Sequence, residues 1–237
     1  FEAYSGARGH KGYAFAYGVS GLFIPAALSV VLTISEGGFI KMVDGNPQLD
    51  YVALFTSQLS WSIVVLAVVA VLYISSVFLT WYASRAGDDS ASELMRKYAL
   101  IWAGPLILAA FGIIIEMRAV HNWHYENMLN LWWLFVISGI LFIVTIWLIG
   151  NRKRYGVAVV LLILQFATAF YAYGISHYPY LLYPYLSIEG SFTSKAMAIS
   201  LVVAFVAGLA LLIPSLYLVI KLFFTKDYVS GKDETHV

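Results

Sequence analysis

Apolar residues in this chain gather in six long runs divided by short polar segments, with no alternation of the kind that marks a barrel strand. The runs cover 13–35, 59–82, 98–117, 131–149, 155–173 and 197–220. A membrane-spanning helix needs about 20 residues, at 1.5 Å each, to cross about 30 Å of hydrocarbon. All six runs are long enough. Lipid offers nothing to hydrogen-bond an open strand edge, so each run is expected to be a helix. The pattern therefore predicts an all-α fold, a multi-pass transmembrane helix bundle of six spans forming a single domain over 1–237.

The polar segments between the runs set an orientation. Lys and Arg number two before the first span (Arg8, Lys11) and one after it (Lys41). Then come three (Arg85, Arg96, Lys97), one (Arg118), three (Arg152, Lys153, Arg154), one (Lys195) and three (Lys221, Lys226, Lys232). Rich segments belong in the cytoplasm, which puts both termini inside. The seven Trp residues fall at or near the expected span ends, where an apolar ring meets polar headgroups. Pro25, Pro105 and Pro214 lie within spans, where neighbouring helices accommodate the lost hydrogen bonds.

Composition agrees with this reading and narrows the chemistry. Hydrophobic residues make up 61% of the 237 and charged residues 11%, against roughly 25% charged in a soluble domain. Net charge is +1 and the longest basic run is Arg152–Lys153–Arg154, so no nucleic-acid footprint exists. The chain contains no cysteine, which excludes disulfides and thiolate metal sites within it. The first residue is Phe1, and the opening segment lacks the apolar core of a signal peptide, so a fragment or a processed product is expected.

Charge is scarce where a carrier would need it. Of all the Asp, Glu, Lys and Arg residues only Glu116 falls inside an expected span, near an outer end. It reads as a proton acceptor at the outer surface or, more commonly for such a position, as an interfacial acid with Arg118 as countercharge. Gln165 is the main amide within a span; it could hydrogen-bond a quinone carbonyl, though a helix-to-helix bond is the commoner use. His121 and His124 would share a helical face at i,i+3, with Glu126 as an added oxygen donor for a metal or haem. The plainer reading is a polar, aromatic interfacial loop.

The most distinctive stretch is GISHYPYLLYPYL at 174–186. Pro179 and Pro184 stop helix propagation and bias the preceding residues to extended geometry. Residues 178–185 are therefore expected to form a non-helical or broken-helix cap at the outer surface, anchored by Tyr178, Tyr180, Tyr183 and Tyr185. His177 reads as a ligand or quinone-binding group, or more simply as another interfacial anchor.

Here the chain resembles subunit II of the cytochrome bd-type quinol oxidases. The likeness is carried by HYPYLLYPY at 177–185 within FYAYGISHYPY at 170–180. AYG at 16–18, GLFIPA at 21–26, LTISEGG at 32–38, LSWS at 59–62, LYIS at 72–75 and LIPSLY at 212–217 extend it from the first span to the last. It implies a respiratory complex in a bacterial or archaeal cytoplasmic membrane that oxidises quinol and reduces dioxygen to water. It also implies that haem b, haem d and the quinol-oxidation site belong to subunit I. This chain would then be a structural partner of subunit I, with no catalytic residue and no cofactor or metal of its own, touching lipid and potentially a quinone. The family has further helices upstream, and the chain matches the last six of nine. Two other functions compete on the residues alone, a small-molecule transporter or channel and a membrane scaffold without a redox partner.

Overall fold

A computed structural model describes residues 10–43, 46–120, 122–190 and 194–224. It falls into two compact units, Phe1–Ser187 and Ile188–Val237. The first contains α1 (His10–Ser35), a hairpin of β1 (Ile40–Val43) and β2 (Asn46–Leu49), α2 (Tyr51–Thr56), α3 (Gln58–Ala86) and α4 (Asp89–Val120). It continues with α5 (Asn122–Asn130), α6 (Trp132–Gly150), α7 (Tyr155–Ser176) and a second hairpin of β3 (Tyr180–Leu182) and β4 (Leu186–Ser187). The second unit holds α8 (Lys195–Phe224), a long apolar helix with Pro214 inside it.

Among the described residues six helices are long and apolar enough to cross a membrane: α1, α3, α4, α6, α7 and α8. These are the six expected runs, and the protein is a multi-pass membrane protein. The largest departure is α4, which begins at Asp89 rather than near 98. Its added first turns are polar and self-supporting. The Ala91 N–H donates to Asp88 Oδ1 at 2.9 Å, and Arg96 makes a bidentate pair with Glu93 at 2.7 and 2.8 Å. Such capping and i,i+3 pairing carry a helix out of the bilayer. The preceding α3 ends in Gly87 at φ +79, the left-handed cap that lets the chain reverse.

The core of the first unit lies between α3, α4, α6 and α7. Val69, Tyr73 and Val77 of α3 meet Ala99, Ala103 and Leu106 of α4, and Phe142 and Ile149 of α6 meet Ala158 and Leu162 of α7. Ala99 and Ala103 lie one turn apart, the small-residue spacing that lets membrane helices approach closely. Ser92 Oγ donates across to the Thr80 carbonyl at 3.2 Å, joining α4 to α3.

The connection between α1 and α3 is structured over residues 36–43 and 46–57. Asp50 explains much of this: its carboxylate caps α2 through the Ala53 N–H at 3.2 Å, and its own N–H donates to the Phe39 carbonyl at 2.8 Å. The 178–185 stretch is non-helical, as its prolines require. Helix α7 stops at Ser176, and a tight hairpin follows with Tyr180 opposite Ser187 and Leu182 opposite Leu186. Both Tyr-Pro peptide bonds in it are cis.

Candidate functional site

Three helix ends converge on one buried polar cluster. Glu36 follows directly on the last residue of α1, His124 lies in the first turn of α5, and Tyr173, Ser176 and His177 share a face at the end of α7. The spacing of those three, i, i+3 and i+4, is what places them together on a helix. Glu36 and His124 are 0% exposed, and Ser176 and His177 are buried.

Hydrogen bonds link Glu36, His124, Tyr173 and Ser176 at close range. Ser176 Oγ donates to the Tyr173 carbonyl at 2.7 Å, which uses its only proton. The same oxygen lies 2.7 Å from His124 Nε2. Nδ1 of the same ring lies 3.0 and 2.9 Å from the two Glu36 carboxylate oxygens. The Tyr173 hydroxyl donates to Glu36 Oε1, and His177 Nδ1 is 3.8 Å from that oxygen. Burial opposes ionisation of Glu36, but the hydrogen bond and charge of His124, the Tyr173 hydroxyl and the charge of His177 outweigh it. The net result is a carboxyl held below its usual value.

An aromatic wall surrounds the cluster. Trp123 stacks on His124 with centroids 5.1 Å apart and on Tyr183 at 4.4 Å, and it meets Tyr180 edge-on at 5.5 Å. The hairpin is thus a cover for the site. It is tied down where the Tyr183 N–H donates to the Ser35 carbonyl at 3.0 Å. Asn127 Nδ2 also donates to the Ser176 carbonyl at 3.0 Å, fixing α5 against α7.

The sequence-derived candidates divide sharply. His177, expected chiefly as an interfacial anchor, is buried in the cluster, and Tyr180 and Tyr183 pack beside it. Tyr178, Pro184 and Tyr185 are exposed on the hairpin, while Pro179 is half-buried in the turn that enters it. His124 departs from the interfacial-loop reading: it is helical and fully buried, because its ring satisfies both nitrogens inside the protein. His121 lies outside the described residues. Glu126 is exposed and accepts from Asn122 instead of joining His124. Glu116 is half-buried in α4, far in sequence from the cluster's acid, and makes no ion pair with Arg118. Gln165 is buried in α7, where Ser138 Oγ bonds its backbone carbonyl at 3.1 Å; its side-chain oxygen has no hydrogen-bond partner among the described residues.

Sequence reasoning missed Glu36, Tyr173, Ser176 and Trp123 as site residues. Glu36 did carry a signal, an acid set directly on the end of an apolar run and followed by Gly37-Gly38.

The family model for cytochrome bd terminal oxidase subunit II matches residues 1–223. The chain belongs to the cytochrome bd terminal oxidase subunit II family. Among curated proteins it is similar to a putative cytochrome bd menaquinol oxidase subunit II of Bacillus subtilis (strain 168), 32% identical over 237 residues. That match covers 96% of this chain and 68% of the relative. Among solved structures it is similar to a chain of the bd oxidase from Geobacillus thermodenitrificans, with 57% identity and a TM-score of 0.77, covering 89% of this chain and 64% of that one. The chain thus spans about two thirds of the length of these two relatives. Within the family frame, the HYPYLLYPY element is the hairpin that closes over the buried Glu36–His124 pair.

Proposed function

We propose that this chain forms part of subunit II of a respiratory quinol oxidase, beside a haem-bearing subunit I in a bacterial or archaeal cytoplasmic membrane. The complex would oxidise quinol and reduce dioxygen to water. The observation that carries the reading is the family match over nearly the whole chain, joined to 57% identity with a bd oxidase chain of the same fold. The name of the Bacillus subtilis relative supports menaquinol as the quinol. The transporter and scaffold alternatives have no comparable support.

Among the described residues, His124 and His177 do not fit haem ligation. An axial histidine must turn one ring nitrogen to the iron. His124 has Nδ1 against Glu36 and Nε2 against Ser176, and His177 is enclosed by Trp123, Tyr173 and His124. In this reading, as the family resemblance implies, haem b and haem d belong to subunit I, and the part of this chain is to pack against that subunit. Both termini face the cytoplasm, supported by the alternation of Lys and Arg between segments, and the Glu36 cluster then lies towards the outer surface.

The test is a reduced-minus-oxidised visible spectrum of material captured through a tag on the full-length subunit containing this chain. Haem b and haem d bands together with a second large membrane subunit are expected. Colourless, partnerless protein, correctly inserted, would overturn the reading.

A further inference from the structure

We propose that Glu36, His124 and His177 form a binding site for a divalent transition-metal ion of the zinc type, sealed by the 178–187 hairpin. The proposal goes beyond the oxidase reading and stands on this cluster alone. One carboxylate oxygen and one nitrogen from each ring lie within 4.8 Å of one another, all on buried residues. The donor set, two imidazoles and one carboxylate, is one that zinc accepts, with a fourth position left for water or the Tyr173 hydroxyl. Calcium and magnesium require mainly oxygen donors, and the chain has no thiolate to select a softer ion.

The hydrogen-bond partners around the cluster suit such an ion. Nε2 of His124 faces Ser176 at 2.7 Å and Nδ1 faces the two Glu36 carboxylate oxygens at 2.9 and 3.0 Å, a hydrogen-bonded pair as it stands. A metal ion bound at Nδ1 and Glu36 would take the place of the proton between them. It also gives the Ser176 bond a purpose, since a ligating histidine normally donates its other N–H to a partner that fixes the ring. Ser176 is itself held by the Tyr173 carbonyl, so the orientation of the ring is built two residues deep. Ligand atoms around a tetrahedral zinc with bonds of about 2.0–2.1 Å sit about 3.3 Å apart. The Glu36–His124 and Glu36–His177 separations of 2.9 and 3.8 Å bracket that distance, and the widest pair, within 4.8 Å, closes with combined side-chain shifts of about 1.5 Å.

The experiment uses the purified full-length oxidase complex, washed with chelator, offered zinc chloride and gel-filtered. Zinc is then measured per complex by elemental analysis. Retention of about one zinc is expected, falling about tenfold or more in His177→Gln, with Ser176→Ala weakening binding by about 10- to 100-fold. The haem spectrum, unchanged in both variants, confirms that they assemble. Zinc-edge X-ray absorption on the unmutated complex decides the matter without any variant: two imidazole nitrogens in the first shell at about 2.0–2.1 Å support the site. Wild type retaining no more zinc than His177→Gln, or a first shell without imidazole, would overturn it. Loss of the haem spectrum in wild type would instead strike the oxidase reading and leave the metal result standing on its own.

Discussion

Gly37 stands next to the buried acid, at φ +91, a backbone conformation that side chains with a Cβ rarely adopt. A Cβ there would overlap the Tyr183 carbonyl, so the glycine is what lets the hairpin close over Glu36. Gly37→Ala is expected to cost roughly 1–3 kcal/mol in strain, read as a lower midpoint of thermal denaturation of the assembled protein. His124→Ala should cost more, about 3–5 kcal/mol, because it leaves a buried carboxylate without its counterpart. By contrast Ser92→Ala removes one interhelical hydrogen bond and should cost only about 0.6 kcal/mol, the average found for such bonds in membrane proteins. An equal effect of Ser92→Ala and His124→Ala in the same melt would contradict the view that the Glu36 cluster is the main polar strut.

At the scale of elements, the two pieces that carry the cluster are short. Helix α5 has nine residues and the β3–β4 hairpin is smaller still, so neither holds itself together by backbone bonds alone. They lean on each other through Trp123, stacked between His124 and Tyr183. Trp123→Ala is expected to speed amide exchange in both 122–130 and 180–187, and a change confined to α5 would show that the hairpin stands independently. Helix α2 behaves differently. Asp50 caps it and pairs with Lys41, and the Lys41 bond foremost, with the Ala53 N–H, holds its carboxyl below the ordinary 3.8. A depressed acid contributes above its unfolded value and loses that contribution as pH falls through its folded one. Exchange at 51–56, corrected for its intrinsic pH dependence, should therefore accelerate only below the ordinary aspartate range, and Asp50→Ala should remove that pH step.

Across the whole molecule, the sidedness of the membrane orders everything else. Segments rich in Lys and Arg alternate with poor ones along the chain, and the cluster-bearing ends belong to the poor side. The chain has no cysteine, so a single introduced cysteine is unique within it. Replacement of Lys153 in the α6–α7 turn should be labelled by a membrane-impermeant maleimide only from the cytoplasmic face, and replacement of Lys41 in β1 only from the opposite face. Labelling of both from one face would reverse or break the proposed topology. The first unit also explains why so few polar groups suffice: the α3, α4, α6 and α7 core is apolar, and its exposed apolar side chains have lipid to face.

The spans, their number and their helical state follow from the chain alone, because crossing hydrocarbon demands an uninterrupted apolar run whose backbone bonds are all internal. The break at 178–185 was equally legible, since Pro179 and Pro184 act on their own backbone and need no partner. The resemblance to the oxidase family was carried by local strings such as HYPYLLYPY and did not depend on tertiary contacts. What the linear order could not reveal was that Glu36, His124 and His177 meet. They are 88 and 53 residues apart in succession, and no periodicity joins them. Their burial is a property of packing: α1, α5 and α7 bring their ends together, and only there can a carboxylate and an imidazole be withdrawn from water in each other's company. The same holds for residues 46–57 between α1 and α3, where Asp50 reads as an ordinary loop acid until its partners surround it.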